Sequence, residues 1–561
     1  MSRSIGIGVI QHDPVVGDIS GNTAAIASEY GDRLESDLVV APELSLVGYP
    51  PRDLLHRRGV LDAQEEALDT LAEVTESGPP LVVGVALRTE YDTGPPVHNS
   101  AVLLRDGGRD VTYHKRLLPT YDVFDEHRYF RPGTEPVVVD VDGVEVGLTI
   151  CEDAWHDAVI TGTRRYDTNP LLETANAGAD LILTLSASPF SLDKPARRER
   201  RFLAHADRTD CPVVFANQVG GNDELVFDGH SFVAVDGSIL DRLAGFEPET
   251  AVLDVPLSGD DSSQVQGFES DRARQARDAL TLGISDYFAK TGFDEAVIGL
   301  SGGIDSSVAA ALAAEALGAD NVYGVSLPSR VTSRQSVEDA RAVATNLGIS
   351  FDVVPVGAPV ETLCDDLGEY AQPLTGVALE NVQARIRGTV LMGLANERGA
   401  LVLTPDNKSE AAVGYCTLYG DTVGALAPLG DCYKGLVYEL AESFNRTPPA
   451  DAESTPVIPP AVVEKAPSAE LSEGQTDADD LPPYETLDPV LESYIEGCLC
   501  GPELRDQHED SIVDETLSQV AGAEFKRRQT PPPLRITQKA LGRGWNYPVA
   551  AEYEHVSRSD E

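Results

Sequence analysis

The sequence predicts an α/β protein built in two units, and three observations carry that prediction. Short β-branched apolar runs alternate with helical stretches through the first half. A polar stretch rich in Ser, Asp and Gln, 258–270, then interrupts the pattern. A second β–α–β rhythm follows it. The chain has 561 residues, too many for one ordinary core at a prior of about 150 residues per domain. We expect units at 1–256 and 274–561, joined by a linker at 257–273.

In the first half, strands are expected at 5–10, 38–41, 81–87, 101–104, 144–150, 181–185 and 213–216. Several are almost wholly apolar, as for strands covered on both faces. In the second half a helix is expected at 271–291, then strand 296–300, helix 306–317, strand 322–326, helix 336–347 and strand 351–356. A long helix, 379–396, leads into strand 400–403. That alternation implies a parallel sheet flanked by helices. The Pro-, Asp-, Glu- and Ser-rich stretch 447–483 reads as a long surface loop.

Composition excludes some classes of function. The formal charge is -49, from 92 acidic and 43 basic side chains spread along the chain. Such a surface repels phosphate backbones, so nucleic acid is not expected as a partner. It also repels itself unless salt screens it, a pattern suited to a salt-rich cytoplasm. Seven cysteines show no paired metal spacing, which suits reduced thiols and a cytoplasmic setting. Neither a signal peptide nor a membrane-spanning apolar run is expected.

Three residues follow apolar strands in the first half: Glu43, Lys115 and Cys151. Splitting an amide with a thiol needs a nucleophile, a base to take its proton and a cation for the oxyanion, and these residue types supply all three. Taken singly, a cysteine there suits a small core residue and a glutamate or lysine suits a solvated one. Their surroundings, Val40-Ala41-Pro42-Glu43-Leu44, Tyr113-His114-Lys115-Arg116 and Ile150-Cys151-Glu152-Asp153, resemble the carbon–nitrogen hydrolase (nitrilase) superfamily over about residues 4–255. The resemblance implies an α-β-β-α sandwich, with Glu43 as general base, Lys115 as oxyanion stabiliser, Cys151 as nucleophile and Glu126 as a second acid. It implies hydrolysis of glutamine's side-chain amide. Tyr121, Ser188 and Lys194 match positions that hold glutamine, although Tyr121 equally suits packing and Ser188 a turn.

The second half carries Gly299-Leu300-Ser301-Gly302-Gly303-Ile304-Asp305-Ser306, between an expected strand and helix. Glycines let backbone N–H groups approach phosphate oxygens, and the helix N-terminus adds partial positive charge. The Gly-Lys-Ser/Thr of a Walker A loop is absent. Ser-Gly-Gly-x-Asp-Ser resembles instead the ATP pyrophosphatase loop, with ATP as co-substrate. Asp305 suits Mg²⁺, which favours a carboxylate plus phosphate oxygens.

Downstream come Glu380-Asn381-Val382-Gln383-Ala384-Arg385-Ile386-Arg387, Asn407-Lys408-Ser409-Glu410, Tyr419-Gly420-Asp421, Pro428-Leu429-Gly430-Asp431, Pro467-Ser468-Ala469-Glu470-Leu471 and Glu524-Phe525-Lys526-Arg527. In that order, over about 275–545, they resemble the NAD synthetase family, whose fold is a Rossmann-like parallel α/β domain. With the first half, the match is to its glutamine-dependent members. The resemblance implies that Asn381, Glu410 and Lys526 bind deamido-NAD, that Glu410 also ligates Mg²⁺, and that Asp421 faces the dinucleotide. It also implies a homo-oligomer, at least a dimer, built on this half. Of Arg385 and Arg387, one is expected at substrate and the other in an internal ion pair. Lys434 suits either ATP phosphates or a solvated helix face.

Pro405 and Asp406 depart from the family pattern, which has a Thr and a small residue there. Pro405 offers neither hydroxyl nor N–H to ATP. Two other readings stay open on residues alone: a different ammonia-using adenylating ligase, and a hydrolase whose second half only senses nucleotide.

Overall fold

The computed structural model describes residues 4–551 apart from 34, 92, 157–164, 258–264, 266–267, 269–270 and 371–372. It divides into two units, Met1–Ser270 and Asp271–Glu561. Most of the expected linker lies outside the described residues.

The first unit holds two six-stranded sheets. One runs Glu249–Pro256, Ser4–Gln11, Leu38–Val40, Leu81–Arg88, Val97–Arg105, Gly108–His114. The other runs Ser238–Arg242, Phe232–Val235, Val213–Asn217, Leu181–Ser186, Val144–Ile150, Val137–Val141. Strand side chains alternate between faces. Ile5, Ile7 and Val9 therefore enter the core between the sheets with Val146, Leu148 and Leu183. Ile10 and Val39 point outward under helices Ile19–Gly31 and Arg58–Val74. On the far side, Ile182 and Phe215 pack against Leu171 and Phe202 of helices Pro170–Asn176 and Lys194–Thr209. Both faces of each sheet are thus covered, which explains the near-continuous apolar strands. The result is a nitrilase-like α-β-β-α sandwich.

The second unit is built on a four-stranded parallel sheet in the order Ser350–Val353, Val322–Ser326, Ala296–Gly299, Leu401–Leu403. Ala296–Gly299, the first of these strands in the chain, has the second on one side and the fourth on the other, so the strand order reverses there. A crevice at the carboxyl ends of the strands is the consequence. Helix Ile304–Leu317 starts at that crevice, its inner positions filled by Val308, Ala309, Ala310 and Leu312. A helical cluster around Leu487, Leu491, Val513, Leu517 and Trp545 completes the unit.

The surface-loop expectation for 447–483 is corrected. Val457, Ile458 and Val462 are fully buried, and the segment contains the short helices Pro460–Glu464 and Asp477–Asp479. Its polar composition hid a small apolar anchor. Arg385 differs from expectation, donating to the Leu418 carbonyl instead of a carboxylate, whereas Arg387, on the Leu327 carbonyl, lines the crevice.

Candidate functional sites

In the first unit, sheet ends bring Glu43, Lys115 and Cys151 within electrostatic reach of one another. Glu43 follows strand Leu38–Val40 and is completely buried. Its Oε1 accepts from Lys115 Nζ at 2.7 Å and Asn99 Nδ2 at 2.7 Å, and its Oε2 from the Ala187 N–H at 2.8 Å. Gly84 permits this loop: a Cβ there would lie 2.2 Å from the Pro42 carbonyl oxygen and 2.7 Å from Glu43 Cα.

Lys115 leaves strand Gly108–His114 with its N–H on the Asn99 carbonyl. Its ammonium also donates to Glu126 Oε1 at 2.8 Å, which accepts from Tyr49 Oη at 2.9 Å. Burial alone would discharge Lys115, but Glu126 and Glu43 more than reverse this and hold it cationic. Glu126 is pushed up to about 7, chiefly by burial, with Lys115 opposing and Glu43 adding.

Cys151 ends strand Val144–Ile150 and has φ 42°, a left-handed conformation rare for a residue with a Cβ. That turn points it back between the sheets. Burial, then Glu43, pushes its thiol up, with Lys115 and Ser186 pulling the other way. The resting side chain is therefore S–H, and attack requires a base that takes the proton as it proceeds.

Tyr121 donates to both oxygens of the buried Glu152 at 3.0 Å, with the Arg165 guanidinium 3.5 Å from its ring centroid. Tyr166 donates to the same carboxylate at 2.8 Å. Ser188 is buried beside Ala187, its N–H on Asn217 Oδ1. Lys194 opens its helix with its ammonium on the Pro189 carbonyl and 5.5 Å from the Trp155 ring.

The second unit has a cavity of about 260 Å³ at the sheet's switch point, lined by the expected loop residues Gly299, Leu300, Ser301, Gly303, Ile304, Asp305 and Ser306, together with Glu410. Gly302 is outside the lining but shapes the loop: its φ is 81°, and a Cβ would lie 2.2 Å from the Ser336 carbonyl oxygen. Asn381 and Lys526 lie outside the lining; Asn381 accepts from Thr417, and Lys526 donates to the Gly414 and Cys416 carbonyls.

Each side chain of Asn407-Lys408-Ser409-Glu410 has a distinct structural task. Asn407 caps its helix by accepting from the Glu410 N–H at 3.0 Å and donates to Asp305 Oδ1 at 2.9 Å. Lys408 is wholly buried against Asp431, Glu496 and Thr537. Ser409 accepts from the Lys434 N–H. Glu410 faces the cavity.

Lys434 is 1% exposed, so the solvated alternative fails; its ammonium joins Asp305 Oδ2 at 2.7 Å and Glu410 Oε1 at 3.0 Å. Burial pushes Glu410 up to about 7, opposed by Lys434 and reinforced by Asp305. Burial also pushes Asp421 up to about 6, and Asp406 well up with Asp421 and Glu410 adding. Asp305 and Glu410 thus meet at the Lys434 ammonium beside the loop, and their carboxylate oxygens are the donor type that a hard divalent cation takes.

Sequence reasoning missed several of these groups. Asn99 carried a signal, since His98-Asn99-Ser100 is a polar run inside a fully buried strand. Lys465 carried none; it meets Glu470, of the family-like stretch Pro467–Leu471, over Ser336 at the cavity.

The NAD synthase family profile matches residues 277–530, and the carbon-nitrogen hydrolase profile matches residues 6–260. Glutamine-dependent NAD(+) synthetases of Synechocystis sp. and Aquifex aeolicus are 41% and 38% identical, covering 98% and 96% of this chain and 99% and 98% of their own. The solved glutamine-dependent NAD+ synthetase of Acinetobacter baumannii, in complex with ADP, matches with a TM-score of 0.75 at 33% identity over 98% of both chains. The Cytophaga hutchinsonii structure, at 20% identity and TM-score 0.82 over 98% of both chains, shares the fold. Among the described residues, no helix is long and apolar enough to cross a membrane.

Proposed function

This chain belongs to the glutamine-dependent NAD(+) synthetase family, and we propose that Cys151, Glu43 and Lys115 supply the ammonia that its second unit uses to amidate deamido-NAD. The observation that supports this reading is the joint presence of a buried Cys–Glu–Lys cluster and a separate cavity lined by an ATP-type loop.

Cys151 Sγ attacks the glutamine amide carbon while Glu43 takes the thiol proton. Lys115, kept cationic by two carboxylates, stabilises the oxyanion. The proton on Glu43 passes to the leaving nitrogen, ammonia departs, and water cleaves the thioester with Glu43 again as base. Tyr121, Ser188 and Lys194 bind the amino-acid end of glutamine.

In the second unit the loop Gly299–Ser306 takes the ATP phosphates, with partial positive charge from the following helix. Asn381, Glu410 and Lys526 hold deamido-NAD. The nicotinate carboxylate displaces pyrophosphate from ATP, and ammonia displaces AMP from the resulting acyl adenylate. Asp305 and Glu410 would hold Mg²⁺, which offsets phosphate charge when bound. Lys434 keeps these two carboxylates from repelling one another and offers a cation to the phosphates. Asn407 orients Asp305. Pro405 lines the cavity with no N–H to offer, so ATP is held there by other groups.

We assign the glutaminase function to residues 1–256 and the synthetase function to 274–561. We further propose that the synthetase unit pairs with a second copy of the chain, beside the exposed Val377 and Met392 of helix Val377–Arg398. The free cysteines and acidic surface suit a cytoplasm rich in salt. Product stoichiometry tests the reaction: one AMP and one pyrophosphate should form per NAD. Release of ADP and phosphate instead would reject the adenylation step.

A further inference from the structure

Asp153 is wholly buried, and its carboxylate collects four hydrogen bonds from two places in the first unit. Oδ1 accepts from the N–H groups of Arg116 at 3.1 Å and Leu117 at 2.9 Å, the two residues after Lys115. Oδ2 accepts from the N–H of Ile150 at 2.9 Å, the residue before Cys151, and from Tyr113 Oη at 2.7 Å, two residues before Lys115. Lys115 descends from one sheet of the sandwich and Cys151 from the other. One carboxylate thus fastens the backbone on both sides of Lys115 to the backbone that enters the Cys151 turn.

We propose that Asp153 is the positioning residue of the glutaminase site, setting the separation of Cys151 from Lys115 and holding Cys151 in its left-handed turn. Three features support a role beyond filling space. The acceptors are saturated by donors from both strand ends, so neither end can shift without losing a buried hydrogen bond. The Ile150 N–H is bound within the same turn, closing the short helix Cys151–Trp155 over three residues. Lys115 is itself fixed by further backbone bonds, its N–H to Asn99 and its carbonyl from Gly133, both at 2.8 Å. Asp153 is the side chain that relates this fixed lysine to the nucleophile. It touches no reacting atom.

The inference rests on the glutaminase reading, and the test separates the two. Asp153→Asn keeps the volume but places an NH₂ where an oxygen accepted, so either Ile150 N–H or the Arg116 and Leu117 N–H groups meet a donor. The full chain is assayed for ammonia release from glutamine, for NAD synthesis driven by ammonium, and for alkylation of Cys151 by iodoacetamide. In alkylation the sulfur displaces iodide from carbon and no oxyanion forms for Lys115 to stabilise.

In Asp153→Asn, kcat per alkylatable Cys151 should fall about 100-fold, the loss that a misplacement of about 1 Å produces. The glutamine KM should move less than about threefold, alkylation should stay within about fivefold, and ammonium-driven synthesis within about twofold. Tyr113→Phe removes one of the four donors and should lower kcat about threefold to tenfold with KM unchanged. If Asp153→Asn does not fold, Tyr113→Phe decides. An unchanged kcat in either folded variant overturns the proposal, as does a parallel loss of kcat and alkylation. Wild type that releases no ammonia from glutamine would overturn the glutaminase reading itself, a result these variants cannot mimic.

Discussion

Replacing Lys115 by methionine removes a cation that holds two buried carboxylates, and its consequences can be sized. The ammonium is 1% exposed and lies 2.7 Å from Glu43 and 2.8 Å from Glu126. Removing one partner of a buried ion pair costs about 3–5 kcal/mol, because the other is left uncompensated. At about 2–4 °C per kcal/mol for a unit of this size, its melting temperature should fall by about 10 °C.

The deficit depends on pH. Glu126 is held at about 7 against a reference of 4.5, so between those values the folded protein binds a proton that the unfolded chain has released. That contribution is complete below 4.5 and is lost as pH rises through 7. Lys115 opposes the upward shift, so without it Glu126 keeps its proton to still higher pH. The variant should be nearest to wild type at about pH 6 and furthest from it at about pH 8. Loss of oxyanion stabilisation should lower glutamine hydrolysis by about 10²–10³-fold. Calorimetry at the two pH values and ammonia release from glutamine check both. More than about a tenth of wild-type hydrolysis, or a stability deficit that shrinks as pH rises, would refute the reasoning.

Three further outcomes are expected. Lys434→Met should lower ammonium-driven NAD synthesis by about 100-fold or more while glutamine hydrolysis persists, read by assaying both activities on one preparation. Gly84→Ala would press a methyl on the backbone of Pro42 and Glu43; the strain, about 1–3 kcal/mol, should lower glutamine hydrolysis about tenfold and spare ammonium-driven synthesis. With a formal charge of -49, the melting temperature should rise by at least about 5 °C from 0.1 to 2 M KCl as screening shortens, followed by circular dichroism.

How much of this was legible beforehand follows from how each feature is encoded. Strands covered on both faces are apolar throughout, so Val144–Ile150 and Leu181–Ser186 stood out without any partner information. The loop at Gly302 was legible because a positive φ and a close backbone approach demand glycine. Glu43, Lys115 and Cys151 were legible through the family-like stretches around them, since a strand end alone suits a core cysteine or a solvated lysine. Asp153 was not legible, Asn99 showed only as a polar run and Lys434 only as an open choice, since each is defined by partners remote in the chain: Asn99 meets Glu43, and Lys434 meets Asp305. The stretch 447–483 misled because its polar majority outweighed a few buried apolar residues, Val457, Ile458, Val462 and Leu481, that anchor it. Arg385 misled because a guanidinium can be satisfied by a carbonyl as well as by a carboxylate.

The central claim is that one chain carries an ammonia-producing thiol site and a separate ammonia-consuming ligase site. The most direct measurement is NAD formation from deamido-NAD, ATP and Mg²⁺ in molar KCl, with glutamine or ammonium as nitrogen donor, for wild type and Cys151→Ala. The variant should lose synthesis from glutamine and retain synthesis from ammonium. Retention of glutamine-driven synthesis would contradict the role of Cys151, and absence of NAD from either donor in the wild type would contradict the ligase assignment.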